Sequence, residues 1–237
     1  AYIYLAPNST EGYVRGTIPV GENNFIISGA MSNPGKEFCF SFQKKLSVLT
    51  PKSPLGKTSF YNIMVNEKKV MINPVKIYTH YSPPLDSIIY WFLKKSINLY
   101  GEALVKTIAY GKQGFGRTDS GVAIIKNFWK QKGIDPEELN IYDGSGLSPL
   151  NRVTTHAQVK VLKYAKEQTW FSSFYNSLPE FNGMKMKSGT ISDVKGFAGF
   201  QTAKDGTEFI FSFLVNNYNG STSLLVQKMY KVLDVLK

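Results

Sequence analysis

The stretch with the most chemical content is Met184-Lys185-Met186-Lys187-Ser188-Gly189-Thr190. It alternates as a strand does, then ends in a cation, a hydroxyl, a glycine and a second hydroxyl. An ammonium and two hydroxyls can all donate to one anion, and a glycine lets a ligand approach the backbone closely. Lys187, Ser188, Gly189 and Thr190 are therefore a candidate receptor for a carboxylate or an oxyanion. The competing reading is a strand that runs out into a polar turn. Two other stretches concentrate polar residues. Ser96-Ile97-Asn98 interrupts a hydrophobic helical run, and Tyr142 to Asn151 is a dense turn sequence in which Asp143 and Asn151 can bond nearby amides. Ser145 and Ser148 lie in that turn, but the Gly-x-Ser-x-Gly elbow is absent and no histidine is placed to serve them, so the turn reads as structural.

These groups need elements to hold them. Residues 1 to 80 carry short alternating segments (13–20, 24–28, 59–65 and 70–78) separated by Gly, Pro and Asn clusters, which predicts a mostly β region. One helix interrupts it after Pro34, with Phe38, Phe42, Leu46 and Leu49 on one face. Near Ser82-Pro83-Pro84 the character changes. A serine cap opens a helical run with Leu85, Ile88, Ile89, Phe92 and Leu93 at the 3.6 period, so a boundary is expected there, dividing 1–80 from 81–237. Further helices are expected through Ala103, Leu104 and Ile108, from Asp119 to Lys132 with Gly133 as the stop, and after a Thr154 or Thr155 cap; a Trp170 to Leu178 segment then ends at Pro179. After the Lys187 strand, 196–203 and 207–215 read as a hairpin turning at Asp205-Gly206. Apolar residues on both faces of 207–215 predict a strand inside a sheet. A last helix, opened by Ser221, carries Leu225, Met229, Val232 and Leu236. The whole reads as an α+β fold with an antiparallel sheet flanked by helices.

Composition narrows the function classes. At 237 residues with 43% hydrophobic content, the chain can bury a real core. Its net charge is +11, but only Arg15, Arg117 and Arg152 are arginines and no basic cluster stands out. That argues against a nucleic-acid binder, which uses arginine forks on a concentrated face, and for work near an anionic polymer or surface. Cys39 stands alone, so no internal disulfide forms. His80 and His156 have no ligand spacing, so neither a metal nor another cofactor is expected. No apolar run approaches a membrane span. The start has neither a basic leader nor a cleavage site, as though cut from something longer.

Ser96-x-Asn98 followed about 90 residues later by Lys187-Ser188-Gly189-Thr190 resembles the Ser-x-Asn and Lys-Thr-Gly motifs of penicillin-binding proteins and β-lactamases. More closely, Ser82-Pro83-Pro84-Leu85, then 95–102, then Asp143-Gly144-Ser145-Gly146-Leu147-Ser148 with Asn151, then Lys187-Ser188-Gly189-Thr190 are similar to the D-alanyl-D-alanine carboxypeptidase/endopeptidase family, the class C low-molecular-mass penicillin-binding proteins. The resemblance extends over essentially the whole chain, with residues 15–19 and the helix after Pro34 resembling the end of an inserted accessory region. It implies a penicillin-binding/β-lactamase-like transpeptidase fold, here partial, with a remnant of that β-rich region.

The resemblance also implies roles. Ser96 would relay a proton between the nucleophile's lysine and the departing amine, and Asn98 would bind the substrate's amide carbonyl and steady that lysine. Lys187 would supply positive potential, the Ser188 and Thr190 hydroxyls would hold a terminal carboxylate, and the Thr190 N–H would form half of an oxyanion hole. Gly189 would keep the strand edge clear for substrate. Asp143, Ser145, Ser148 and Asn151 would form a structural turn beside the site. Peptidoglycan peptides and β-lactams are the implied partners, in the periplasm or cell envelope, with any signal peptide outside this chain.

Departures from the pattern shape what to expect. Ser188 stands where Thr is commoner, which preserves the hydroxyl, and the segment from Leu178-Pro179 to Lys187 lacks a glycine-rich excursion. The larger departure is the nucleophile. The family's Ser-x-x-Lys should open a buried helix far upstream of Ser96. Ser41-Phe42-Gln43-Lys44 and Ser192-Asp193-Val194-Lys195 match the letters only: Ser41 falls mid-helix and Ser192 follows the Lys187 strand directly. The expectation is a C-terminal portion of a serine hydrolase whose acylated serine lies outside the chain. A compact layout with Ser41 as nucleophile and a non-catalytic peptidoglycan-binding or penicillin-recognising module are the alternatives.

Overall fold

A computed structural model describes residues 1–6, 9, 11–49 and 78–237. The chain divides into two compact units between Tyr78 and Thr79. In the first, strands β1 (Tyr2–Leu5) and β2 (Gly12–Arg15) pair antiparallel, with Tyr4 stacked on Tyr13. The expected strand at 13–20 is shorter than its pattern, ending at Arg15, and 24–28 is not a strand. The segments 59–65 and 70–77 lie outside the described residues. Helix α1 (Pro34–Leu49) forms where expected, from Pro34 on, with Asn33 Oδ1 accepting from the Lys36 amide. On its apolar face Phe38 is 68% exposed and Leu49 74%.

The second unit opens with α2 (Leu85–Lys95). Pro84, not Ser82, occupies the N-cap and no side chain caps the helix, because the two prolines keep the chain extended until Leu85. Helices α3 (Asn98–Gln113) and α4 (Thr118–Gln131) follow, with Arg117 at the α4 N-cap and Asp119 inside its first turn. Strands β3 (Leu139–Asn140) and β4 (Arg152–Val153) clamp the base of the 141–151 turn, and Thr154 caps α5 (Thr155–Lys166) by accepting from the Ala157 amide. Helix α6 (Phe171–Ser177) leads into a four-stranded antiparallel sheet of β5 (Glu180–Phe181), β6 (Met184–Ile191), β7 (Val194–Thr202) and β8 (Glu208–Asn216), in that spatial order. Asp205 and Gly206 make the β7–β8 turn, with Gly206 at φ 87°. Helix α7 (Thr222–Leu233) closes the chain.

Both faces of this sheet are covered. Met184, Met186, Phe197 and Phe211 pack with Met229 and Leu233 of α7 on one side, while Phe200 packs with Leu162 and Leu178 on the other. The buried stripe of α7 runs through Met229 and Leu233. Val232, expected inward, is 57% exposed, pointing about 60° from Met229 and about 100° from Leu233 around the helix. The expectation that 207–215 lies inside a sheet also needs correcting. Among the described residues β8 is the edge strand; its two apolar faces reflect helices above and below, and face burial says nothing about edge pairing.

Candidate active site

The period-two alternation of β6 sorts its side chains. Met184 and Met186 go to the α7 core, which sends Lys185 and Lys187 to the opposite face, beside Ala198 of β7. There Lys187 meets the break between α2 and α3. Ser96 ends α2 in the left-handed conformation, at φ 52° and ψ 51°, with its amide still bonded to the Phe92 carbonyl, and α3 restarts two residues later. A serine at such angles is strained, and strain of this kind gathers at functional sites. The break presents the Ser96 hydroxyl to Lys187, whose Nζ donates to Ser96 Oγ at 2.9 Å and to the Ser188 carbonyl at 2.9 Å. Two motifs 91 residues apart are thus joined by one hydrogen bond.

Lys187 to Thr190 and the turn residues Asp143, Ser145 and Asn151 line one groove of ≈ 990 Å³, floored by apolar side chains that include Val161, Leu162 and Leu214. β5 pairs with β6 only at Met184 and Lys185, so the outer edge of β6 from Lys187 to Thr190 is unpaired among the described residues. A Cβ added to Gly189 would meet nothing within 4 Å, so no neighbour within the chain requires glycine there. Asn98 takes the first position of α3 and is exposed; among the described residues no hydrogen bond joins its side chain to the strand.

The turn is self-contained. Asp143 Oδ1 accepts from the Gly146 amide (2.6 Å) and from Asn151 Nδ2 (2.9 Å), while Oδ2 accepts from the Ser148 amide (2.7 Å). Asn151 Oδ1 in turn accepts from the Tyr142 amide. Burial pushes the Asp143 carboxyl up, but the bonds from Asn151, Ser148 and Gly146 together outweigh it and hold it below the ordinary range. The Ser145 and Ser148 hydroxyls each face an amide two residues on, inside the turn.

Sequence reasoning missed the device that docks this turn. Glu102 Oε1 accepts from the Gly144 and Ser145 amides at 2.9 and 3.0 Å. Gly101 meets Gly144 backbone to backbone, so a Cβ on either would run into the other's carbonyl. A glycine beside an acid, both far from the turn in sequence, was the available signal, but nothing local says which amides the acid serves. Lys195 was also missed as a neighbour of the site: its Nζ donates to Thr190 Oγ1 at 2.8 Å. Burial lowers the pKa of Lys187, with the Lys195 charge as a second cause, and burial lowers that of Lys195.

The two Ser-x-x-Lys matches fall in α1 and in the β6–β7 turn. Ser41 is exposed in the middle of α1, its Oγ 3.4 Å from Glu37 Oε1. Ser192 is exposed in the β6–β7 turn, and the lysine of its motif is engaged with Thr190.

The four-stranded antiparallel sheet with helices on both faces places the chain in the penicillin-binding protein class of α+β folds. The comparisons agree. Penicillin binding protein 4 of Haemophilus influenzae, whose crystal structure holds a β-lactam, superposes with a TM-score of 0.60 at 23% identity, over 66% of this chain and 42% of that one. The chain belongs to the D-Ala-D-Ala carboxypeptidase 3 (S13) family, whose model matches residues 7–180. Its relatives include a D-alanyl-D-alanine carboxypeptidase of an Actinomadura species, 31% identical over 169 residues that cover 62% of this chain and 31% of the relative. The D-alanyl-D-alanine carboxypeptidase DacB of H. influenzae is 23% identical over 244 residues, covering 92% of this chain and 50% of the relative. The chain therefore spans about a third to a half of the length of these curated relatives.

Proposed function

We propose that this chain is the C-terminal portion of a serine-type D-Ala-D-Ala carboxypeptidase or endopeptidase of the cell envelope. It would act on peptidoglycan stem peptides and bind β-lactams through an acyl-enzyme whose serine lies outside these residues. The observation that carries this reading is the 2.9 Å bond from Lys187 Nζ to Ser96 Oγ, which unites two separate motifs at the groove. By accepting from the ammonium, Ser96 Oγ keeps its own proton free to point elsewhere, as a hydroxyl must if it is to protonate a departing amine. Lys187 with the Ser188 and Thr190 hydroxyls receives the terminal carboxylate, and the Thr190 N–H serves half of the oxyanion hole. Asn98, two residues from Ser96, takes the amide carbonyl. The unpaired edge of β6 accepts an extended peptide alongside Gly189.

Residues 1–80 belong in this reading to the end of an inserted accessory region, and 81–237 to the peptidase domain.

The test is incubation of the full-length protein, and separately of this chain, with a labelled penicillin, followed by intact-mass measurement and peptide mapping. The full-length protein should gain one adduct at a serine outside the chain, and the chain alone should gain none. An adduct on Ser41 would show the nucleophile misplaced. Absence of both adduct and D-Ala release from the full-length protein would favour a non-catalytic peptidoglycan-binding module.

A further inference from the structure

Lys195 is 8% exposed, yet among the described residues no carboxylate lies within ion-pairing distance of it. Its side chain passes the Phe197 ring, with Nζ 5.0 Å from the centroid, and ends on Thr190 Oγ1 at 2.8 Å. The register explains the meeting: Thr190 pairs directly with Lys195, so the two side chains stand on the same face of the sheet. Lys187 lies on the other face of the same strand, also without a carboxylate partner among the described residues. Buried cations are ordinarily paired, and two unneutralised ammonium groups converging on one strand end are costly unless an anion joins them. Burial lowers the affinity of both for a proton, and Lys187 also feels the charge of Lys195.

A threonine hydroxyl has one proton and two lone pairs. Accepting from Lys195 occupies a lone pair and leaves the proton of the exposed Thr190 hydroxyl to be donated outward. From this geometry we infer that Lys195 is a positioning residue for an anionic ligand terminus: it turns Thr190 into a donor and adds a second positive charge behind it. The ligand class is a peptide or peptide mimic ending in a free carboxylate, and the discrimination that Lys195 supplies is acid over amide. The inference rests on the reading of the groove as a D-Ala-D-Ala peptidase site and adds to it a residue outside the Lys-Ser-Gly-Thr motif.

The test uses the full-length protein with Lys195→Met, which keeps a long apolar stem against Phe197, Lys195→Gln, which keeps a donor without the charge, and Lys195→Arg, which keeps both. For each, kcat and KM are measured on a D-Ala-D-Ala peptide and on its C-terminal amide, with thermal unfolding as the check of fold. Lys195→Met should lose about tenfold in kcat/KM on the acid, chiefly in KM, and less than threefold on the amide, with Lys195→Gln in between and Lys195→Arg near wild type. If the Met variant does not fold, the Gln variant carries the same acid-against-amide comparison. Equal losses on acid and amide, or none on either, in a folded variant would overturn the inference alone. A wild-type protein inactive on both peptides and unlabelled by penicillin would overturn the functional reading and the inference with it.

Discussion

Two polar regions share one groove and differ in how their charges are settled. In the 141–151 turn the Asp143 carboxylate accepts three bonds from within the turn, and Glu102 accepts two more amides from it. On the strand side, Lys187 and Lys195 find only hydroxyl and carbonyl oxygens and a ring face, with no carboxylate among the described residues. The first region has spent its hydrogen-bonding capacity on itself and can hold a shape. The second retains uncompensated positive charge, which is the condition for receiving an anion. A high density of polar residues therefore marks scaffold in one case and receptor in the other, and satisfaction tells them apart.

The comparison can be broken most directly at Lys187. In the full-length protein, Lys187→Met removes both the charge and the bond to Ser96, so kcat/KM for a D-Ala-D-Ala peptide should fall by about a hundredfold to a thousandfold while the melting temperature changes little. A variant that keeps activity but melts early would move Lys187 to the scaffold side. Ser188→Ala comes next. Loss of one hydrogen bond to a charged group is worth about 1.5 to 3 kcal/mol, or roughly tenfold to a hundredfold in kcat/KM, and the loss should shrink on the C-terminal amide. Ser188→Thr should retain most activity, and equal losses on acid and amide would mean that the hydroxyl serves the fold.

Glu102→Ala sharpens the other side. It leaves the Gly144 and Ser145 amides without their acceptor, so the protein should lose about 1 to 3 kcal/mol of stability by denaturant unfolding, with the acid-to-amide ratio unchanged. A changed ratio at full stability would place Glu102 in the receptor.

The smallest effect is in pH. The folded-state pKa of Asp143 is depressed, so its contribution to stability is complete above the unfolded value, about 3.9, and is lost as pH falls through the folded value. Unfolding curves of wild type and Asp143→Asn should therefore converge as pH is lowered below about 4 and stay parallel above about 5. Curves that remain parallel down to pH 2 would deny the turn its carboxylate-centred bonding.

Much of the secondary structure was legible because its signals are local. The Asp205-Gly206 hairpin, the Thr154 cap, the α1 start at Pro34 and the period of β6 all depend on neighbours within a few residues. Misplacements came where local and tertiary demands part. Among the described residues the 24–28 segment, with a strand's composition, has no partner to pair with, and Ser82 has a cap's chemistry but is followed by prolines that delay the helix.

The sequence by itself determined the identities and order of the chemical groups: a Ser-x-Asn break, a glycine-rich acidic turn and a Lys-Ser-Gly-Thr strand end, since these are carried by residue type and short spacing. Only the tertiary structure decided which of them meet. Lys187 reaches Ser96 because β6 alternation turns it away from the α7 core, Glu102 reaches the turn because two glycines let backbones touch, and Lys195 reaches Thr190 because the β6–β7 register sets them opposite. Pairing register and packing are settled by the burial of the whole sheet between its helices, and no window of neighbouring residues contains that information.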